Sequence, residues 1–394
     1  MKNFEYFAPT KVIFGKDTEN QVGALVKAQN CQKVLVHYGS ESAKRSGLLD
    51  RIFSSLADAG VDYVSLGGVV PNPRLSKVYE GIELSKQEHV DFILAVGGGS
   101  VIDSSKAIAY GVANPDTDVW EYFAKTAQAK ACLPLGCVLT IAAAGSEMSN
   151  SCVITKEDGW IKRGYNDDIS RCQFAVMNPE LTYTLPPYQT ASGCTDILMH
   201  TMERYFVPFD TMELTDGISE VLMQTVICNA RILMQDPANY NARAEVMWAG
   251  SLSHNGLTGC ATLGGDWSCH QLEHELGGMF DVAHGAGLAA VWGSWARYVY
   301  KECPERFAQF ATNVFNISCD GNDYEKTALA GIAAMEDFFR SIQMPTSIHE
   351  LGIDVTDEQI EELAYKCSFQ DKRTIGMMKV LKREDMVKIY KMAR

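Results

Sequence analysis

Val90-Asp91-Phe92-Ile93-Leu94-Ala95-Val96 is a short apolar run that passes without a break into Gly97-Gly98-Gly99-Ser100, and then into a helical pattern over 102–110. This strand, glycine turn and helix restrict the fold more than any other segment. A run of this length bounded by glycine is strand-sized, and its unbroken apolar character suits the interior of a parallel sheet. Glycines at the turn let an anion approach the backbone, and the N–H groups at the helix start then face it.

The flanking sequence repeats the alternation. Strand signals at 33–39 and 61–66 precede helical patterns at 47–59 and 75–89, and further strand signals follow at 137–140, 151–155 and 171–177. Such an order predicts a mostly parallel sheet covered by helices. After Leu185-Pro186-Pro187 the pattern is helical to the end, broken at Pro208, Pro237, Pro304 and Pro345. The expectation is an α/β domain with a mostly parallel sheet over 1–184 and an all-α domain over 185–394.

A net charge of −14 argues against nucleic acid and anionic membrane surfaces as partners. The N-terminal segment lacks an apolar signal-peptide region, and no window holds eighteen uninterrupted apolar residues, so no signal peptide or membrane span is expected. None of the 12 cysteines forms a Cys-x-x-Cys pair, which points to reduced thiols in a cytoplasmic protein. Cys194 and Cys269 neighbour the polar cluster described next, but adjacent helical residues face different directions.

Asp196 and His200 are four residues apart, as are His270 and His274, and His284 follows in a glycine-rich stretch. On helices, that spacing puts each pair on one face. The surroundings are small or apolar (Ala191, Gly193, Ile197, Leu198), and charged groups in apolar sequence need a partner. Converging pairs would offer nitrogen and oxygen donors to one divalent ion, Fe(II) or Zn(II). The bland reading is a histidine pair on a solvated helix face.

Asp103 and Lys106 follow the glycine turn, within reach of ribose hydroxyls, and Thr140 and Gly145-Ser146 add donors after the next strand. The first strand ends at Gly39 where an acid would select NAD, and Ser42, Lys44 and Arg45 favour a 2′-phosphate, with Glu41 opposing. NADP is therefore the expected cofactor, with NAD the alternative. Trp160, Trp267 and Phe369 are candidates for an apolar pocket.

Pro71-Asn72-Pro73, the run from Gly97 to Lys106, Gly145-Ser146-Glu147, Asn178-Pro179-Glu180, the Asp196/His200 pair and the spacing of His270, His274 and His284 together resemble the iron-containing (group III) alcohol dehydrogenases. Tyr38-Gly39, Trp267 to His270, Glu273 to Leu276 and Thr374-Ile375-Gly376 are similar to the NADPH-dependent butanol dehydrogenase branch. The resemblance implies a Rossmann-like dinucleotide-binding domain over 1–184 and an all-helical metal-binding and catalytic domain over 185–394, with Asp196, His200, His270 and His284 as the metal ligands. It implies that His274 lies near the nicotinamide, where it would relay a proton. Gly97, Gly98 and Ser100 would bind pyrophosphate, and Asp103, Lys106, Thr140, Lys162 and Asn72 would contact the cofactor. The implied activity is hydride transfer between NADP(H) and a small primary alcohol or aldehyde such as butanol or butyraldehyde, by a homodimer. Two departures are Ala144, where many members have threonine, and Gly39-Ser40-Glu41-Ser42, where relatives have Gly-Gly-Gly-Ser. The alternatives are a polyol (glycerol-type) dehydrogenase, a metal-dependent hydrolase without nucleotide, and a catalytically silent nucleotide-binding protein.

Overall fold

The computed structural model describes residues 2–319, 321 and 323–394. The chain divides into two compact units, one spanning Phe7–Thr184 and the other Leu185–Arg394 together with the N-terminal segment up to Tyr6. The first residues thus belong with the helices, although the sequence reading assigned them to the first domain. Asn255 Nδ2 donates to Tyr6 Oη at 3.4 Å, and Lys2 Nζ lies 5.1 Å from the centre of the Phe209 ring.

The α/β unit contains β1 (Lys11–Phe14), α1 (Val22–Lys27), β2 (Lys33–Gly39), α2 (Ser42–Arg45), α3 (Leu48–Asp58), β3 (Asp62–Val69), α4 (Leu75–Gln87), β4 (Phe92–Gly97), α5 (Gly99–Ala113), α6 (Trp120–Phe123), β5 (Leu135–Leu139), β6 (Ser151–Lys156), β7 (Ile161–Asn166) and β8 (Phe174–Met177). Six strands form one all-parallel sheet in the order β1-β8-β5-β4-β2-β3. The expected strand at 151–155 is present as β6, but it pairs antiparallel with β7 in a separate hairpin. Every residue of β4 is buried, which accounts for its unbroken apolar sequence. Val34, Val36, Leu94, Val96, Val138 and Val176 form the sheet side of a core that Leu49, Ile52 and Leu56 of α3 complete. His37 sits inside the sheet layer. Its Nδ1 donates to Leu66 O at 2.9 Å, which leaves Nε2 to accept from Ser104 Oγ of α5, also at 2.9 Å.

The helical unit contains α7 (Pro187–Tyr205), α8 (Glu213–Gln235), α9 (Tyr240–His254), α10 (Ser268–Phe280), α11 (His284–Val299), α12 (Pro304–Phe315), α13 (Tyr324–Ser341), α14 (Asp357–Cys367) and α15 (Arg383–Ala393). Pro187 and Pro304 occupy first helical positions, where the missing N–H costs nothing. From Gly193 through Tyr205, α7 is buried all round, so it is the central helix of the unit. Trp292 and Trp295 of α11 pack with Phe206 and Phe307, whose rings stack at 4.4 Å. Among the described residues, no helix is long and apolar enough to cross a membrane.

Candidate metal site and cofactor-binding edge

Three helices bring the polar cluster together. Asp196 and His200 lie one turn apart on α7, His270 and His274 one turn apart on α10, and His284 is the first residue of α11. The α11 start can approach α7 because residue 285 is glycine. A Cβ there would fall 2.0 Å from Ser192 O. Asp196 Oδ1 is 3.3 Å from His200 Nδ1 and 3.7 Å from the Nε2 atoms of both His270 and His284. Asp196, His200 and His270 are buried, whereas the His284 side chain is 26% exposed, so the cluster opens on that side.

Asp196 Oδ1, His200 Nδ1 and His270 Nε2 are buried without a hydrogen-bond partner. Each unmet polar atom of this kind costs about 1–3 kcal/mol, and Asp196, His270 and His284 each offer a donor atom within 4.8 Å of the others. One carboxylate and three imidazoles suit a borderline divalent ion, so the donor set fits such a metal. Nearby thiols do not compete, since burial pushes Cys194 up to about 12 and Cys269 well above the ordinary thiol range.

Two carboxylates that the sequence reading did not single out complete the cluster. Glu203 Oε1 accepts the His270 backbone N–H at 2.8 Å and lies 3.1 Å from His270 Nδ1. Glu273 accepts from His284 Nδ1. The spacing 196, 200, 203 marks one face of a helix and is the signal that could have found Glu203. Burial lowers the His270 pKa, but Asp196 and Glu203 outweigh it and raise it to about 9. Burial, reinforced by His254, His270, Arg204 and His284, drives His200 well below its ordinary value.

His274 is buried beside this group, its ring 5.9 Å from that of His284. The Trp267 ring lies 5.1 Å from His270 and 6.0 Å from His200, with the Arg204 guanidinium 4.6 Å from it. Of the three aromatics considered for a pocket, Trp267 is the one at the histidines. Trp160 lies on the hairpin turn with Arg74 over it, and Arg373 covers Phe369.

In the α/β unit the expected cofactor residues gather at one edge of the sheet. β5, β4, β2 and β3 are neighbours, and their C-terminal ends carry Thr140, Gly97, Gly39 and, just beyond, Asn72. Open α/β sheets bind ligands along this edge. Thr140 N–H donates to Gly97 O at 3.0 Å and ties two of these ends together. Gly98 caps α5, and a Cβ there would lie 1.9 Å from Ile141 Cγ2. Ser100 sits in the first turn of α5, whose leading N–H groups have no intrahelical acceptor. Ala144 packs against this turn, since a Cβ on Gly99 would meet its methyl at 2.8 Å.

Two expectations change here. Lys106 is fully buried, and its ammonium donates to the carbonyls of Ser146, Ser149 and Ser151 at 2.8–2.9 Å. Those bonds use all three of its donors and leave none for a ribose. Asp103 accepts from Ser146 Oγ at 2.9 Å and from the Val153 N–H at 3.0 Å. Both residues brace the 146–153 segment. Lys162, on β7, is buried opposite Thr155, whose N–H donates to Pro73 O, so the hairpin is fastened next to Asn72. Ser42 is exposed at the start of α2, and the exposed Glu41 pairs with Lys44 at 3.5 Å.

The family pattern described as iron-containing alcohol dehydrogenase matches residues 9–179, and that of the Fe-containing alcohol dehydrogenase C-terminal domain matches 190–394. The chain is 37% identical to NADH-dependent butanol dehydrogenase A of Clostridium acetobutylicum, covering 99% of each. It is 35% identical to the NADPH-dependent aldehyde reductase YqhD of Escherichia coli, covering 90% of each. The crystal structure of NADH-dependent butanol dehydrogenase A from Thermotoga maritima superposes with a TM-score of 0.96 at 36% identity, over 100% of this chain and 99% of that one. With a glycine-turn sheet edge, a carboxylate–histidine cluster and both family patterns spanning nearly all of its length, the chain belongs to the iron-containing alcohol dehydrogenase family and is an NAD(P)-dependent oxidoreductase.

Proposed function

We propose that this alcohol dehydrogenase acts mainly as an aldehyde reductase, moving hydride between NADP(H) and a small primary alcohol or aldehyde such as butanol or butyraldehyde. The α/β unit is the NADP(H)-binding domain and the helical unit the metal-binding and catalytic domain. Asp196, His200, His270 and His284 hold one divalent ion, Fe(II) or Zn(II). Zn(II) has the higher intrinsic affinity for such donors, so cellular supply decides between them. The observation that carries the reading is the grouping of donor atoms from Asp196, His270 and His284 within 4.8 Å of one another, with His200 Nδ1 3.3 Å from the Asp196 carboxylate. When bound, the ion supplies Lewis acidity toward the substrate oxygen, and the nicotinamide supplies the hydride.

The remaining work falls to side chains and backbone. The Gly97-Gly98-Ser100 turn binds pyrophosphate at the start of α5. Thr140, Asn72 and Lys162 orient the nicotinamide half, while Asp103 and Lys106 act indirectly by shaping the 146–153 segment. Gly39 and Ser42 leave room for a 2′-phosphate. His274 passes a proton to or from the substrate oxygen, directly or through one water. Trp267 keeps water from the histidines. The protein works in the cytoplasm as a homodimer, which sedimentation of the purified protein tests.

Loss of 340 nm absorbance with NADPH and butyraldehyde, abolished by chelation and restored by Fe(II) or Zn(II), is the expected result. Turnover that survives full metal removal would sink the reading. A second reading, NADH as the cofactor, is favoured by the NADH-dependent butanol dehydrogenase relatives. The ratio of kcat/KM for the two cofactors decides between them.

A further inference from the structure

His270 and His284 are held in the same way by different means. Each presents Nε2 to Asp196 Oδ1 at 3.7 Å, and each has Nδ1 against a glutamate on its far side. The two glutamates come from different helices. Glu203 lies on α7, two turns beyond Asp196, and Glu273 lies on α10. Both side chains are almost wholly enclosed, at 1% and 0% exposure. Enclosing a carboxylate this completely is costly unless it is paired and hydrogen-bonded, and the histidines supply those bonds here.

We infer that Glu203 and Glu273 are paired positioning residues. Each pins a proton on Nδ1 of its histidine, so that the Nε2 lone pair is directed at the Asp196 side, and each raises the donor strength of that nitrogen. The inference rests on the ligand reading above and deepens it. It also ranks the ligands. His200 faces Asp196 through Nδ1 and is backed by the His254 ring at 4.0 Å, so no glutamate strengthens it. The negative charge around the cluster is thus spread over Asp196, Glu203 and Glu273, and Glu203 and Glu273 would act on an ion through His270 and His284.

The test is Co(II) affinity, measured by competition with a chromophoric chelator, together with the Co(II) visible spectrum. Glu203→Gln and Glu273→Gln keep an acceptor oxygen and remove the charge. Each is expected to weaken Co(II) binding about 10–100-fold and to shift the visible bands, while NADPH binding to the metal-free protein stays at the wild-type value. Glu203→Asp and Glu273→Asp, which keep the charge, should recover part of the loss. Glutamine variants that bind Co(II) within threefold of wild type, with an unaltered spectrum, would overturn the inference. His270→Ala separates the two levels. If it loses Co(II) while the glutamine variants keep theirs, only the positioning role fails. If it binds Co(II) like wild type, the ligand reading itself fails.

Discussion

His270 carries the sharpest residue-scale consequence. Burial opposes its charge, but Asp196 and Glu203 raise its pKa from 6.5 to about 9, so the imidazole is protonated at neutral pH in the metal-free protein. A group whose folded pKa is raised stabilises fully below its unfolded value and loses that contribution as pH rises through the folded one. Metal-free protein should therefore lose thermal stability between about pH 6.5 and 9, and metal uptake should release a proton at pH values below about 9. Apparent affinity should climb about tenfold per pH unit and level off above about 9. Competition titrations at several pH values check this, and a flat profile would show that no proton is displaced from His270. His274→Ala should keep the metal and lower kcat by about 10²–10⁴ if His274 is the main proton relay. An unchanged kcat and pH profile would remove it from the mechanism. Asp196, His200 and His270 were legible in the sequence because helical spacing puts pairs on one face, whereas His284 was marked only by its glycine-rich stretch and by the family resemblance. Glu203 and Glu273 were not, because an acid gains meaning only from the imidazole it meets across helices.

At the scale of elements, the sheet edge decides cofactor chemistry. Gly39 ends β2 where an added Cβ meets only Val69 O at 3.7 Å and Val101 Cγ2 at 3.9 Å, so a side chain fits. Gly39→Asp would set a carboxylate against a 2′-phosphate, and kcat/KM for NADPH should fall at least tenfold, about 1.4 kcal/mol. The NADH value should fall less, or rise. Equal losses with both cofactors would mean that the substitution acts on the fold alone. Inside the same sheet, Ser104→Ala leaves His37 Nε2 buried without its donor, at a cost of about 1–3 kcal/mol that urea unfolding can read. The long apolar strands and their helices were legible from period and glycine punctuation. β1 and β7 were not, because both are short and neither carries a clean alternation: β1 has only exposed and half-buried positions, and β7 mixes buried, half-buried and exposed ones. Lys106 misled for a related reason. A lysine one turn after a glycine loop reads as a ligand group, and only the 146–151 backbone folded onto it shows that its donors are used.

At the scale of the whole molecule, two compact units divide the chemistry: every proposed ligand lies in the helical unit and every proposed cofactor contact in the α/β unit. The boundary near residue 184 was legible because Pro186-Pro187 stops one pattern and starts another. The return of the N-terminal segment to the helices had no local signal, since it depends on Asn255 meeting Tyr6. The division makes metal loss a selective event. Removing the ion leaves Asp196, His200 and His270 as buried, unmet polar atoms inside α7 and α10, and nothing comparable happens around β4 and α5. At a free metal concentration a thousandfold above Kd, binding stabilises its host by about 4.1 kcal/mol. For a unit of this size that corresponds to a shift in unfolding temperature of roughly 8–16 °C. Chelation should therefore lower the first unfolding transition by that amount. Amide exchange should rise in α7, α10 and the start of α11, with β4 and α5 unchanged and NADPH still bound. Hydrogen-exchange mass spectrometry of the loaded and chelated protein reads all of these segments at once. Faster exchange spread equally over β4 and α5 would show that the ion supports the entire chain, and the assignment of separate tasks to the two units would then fail.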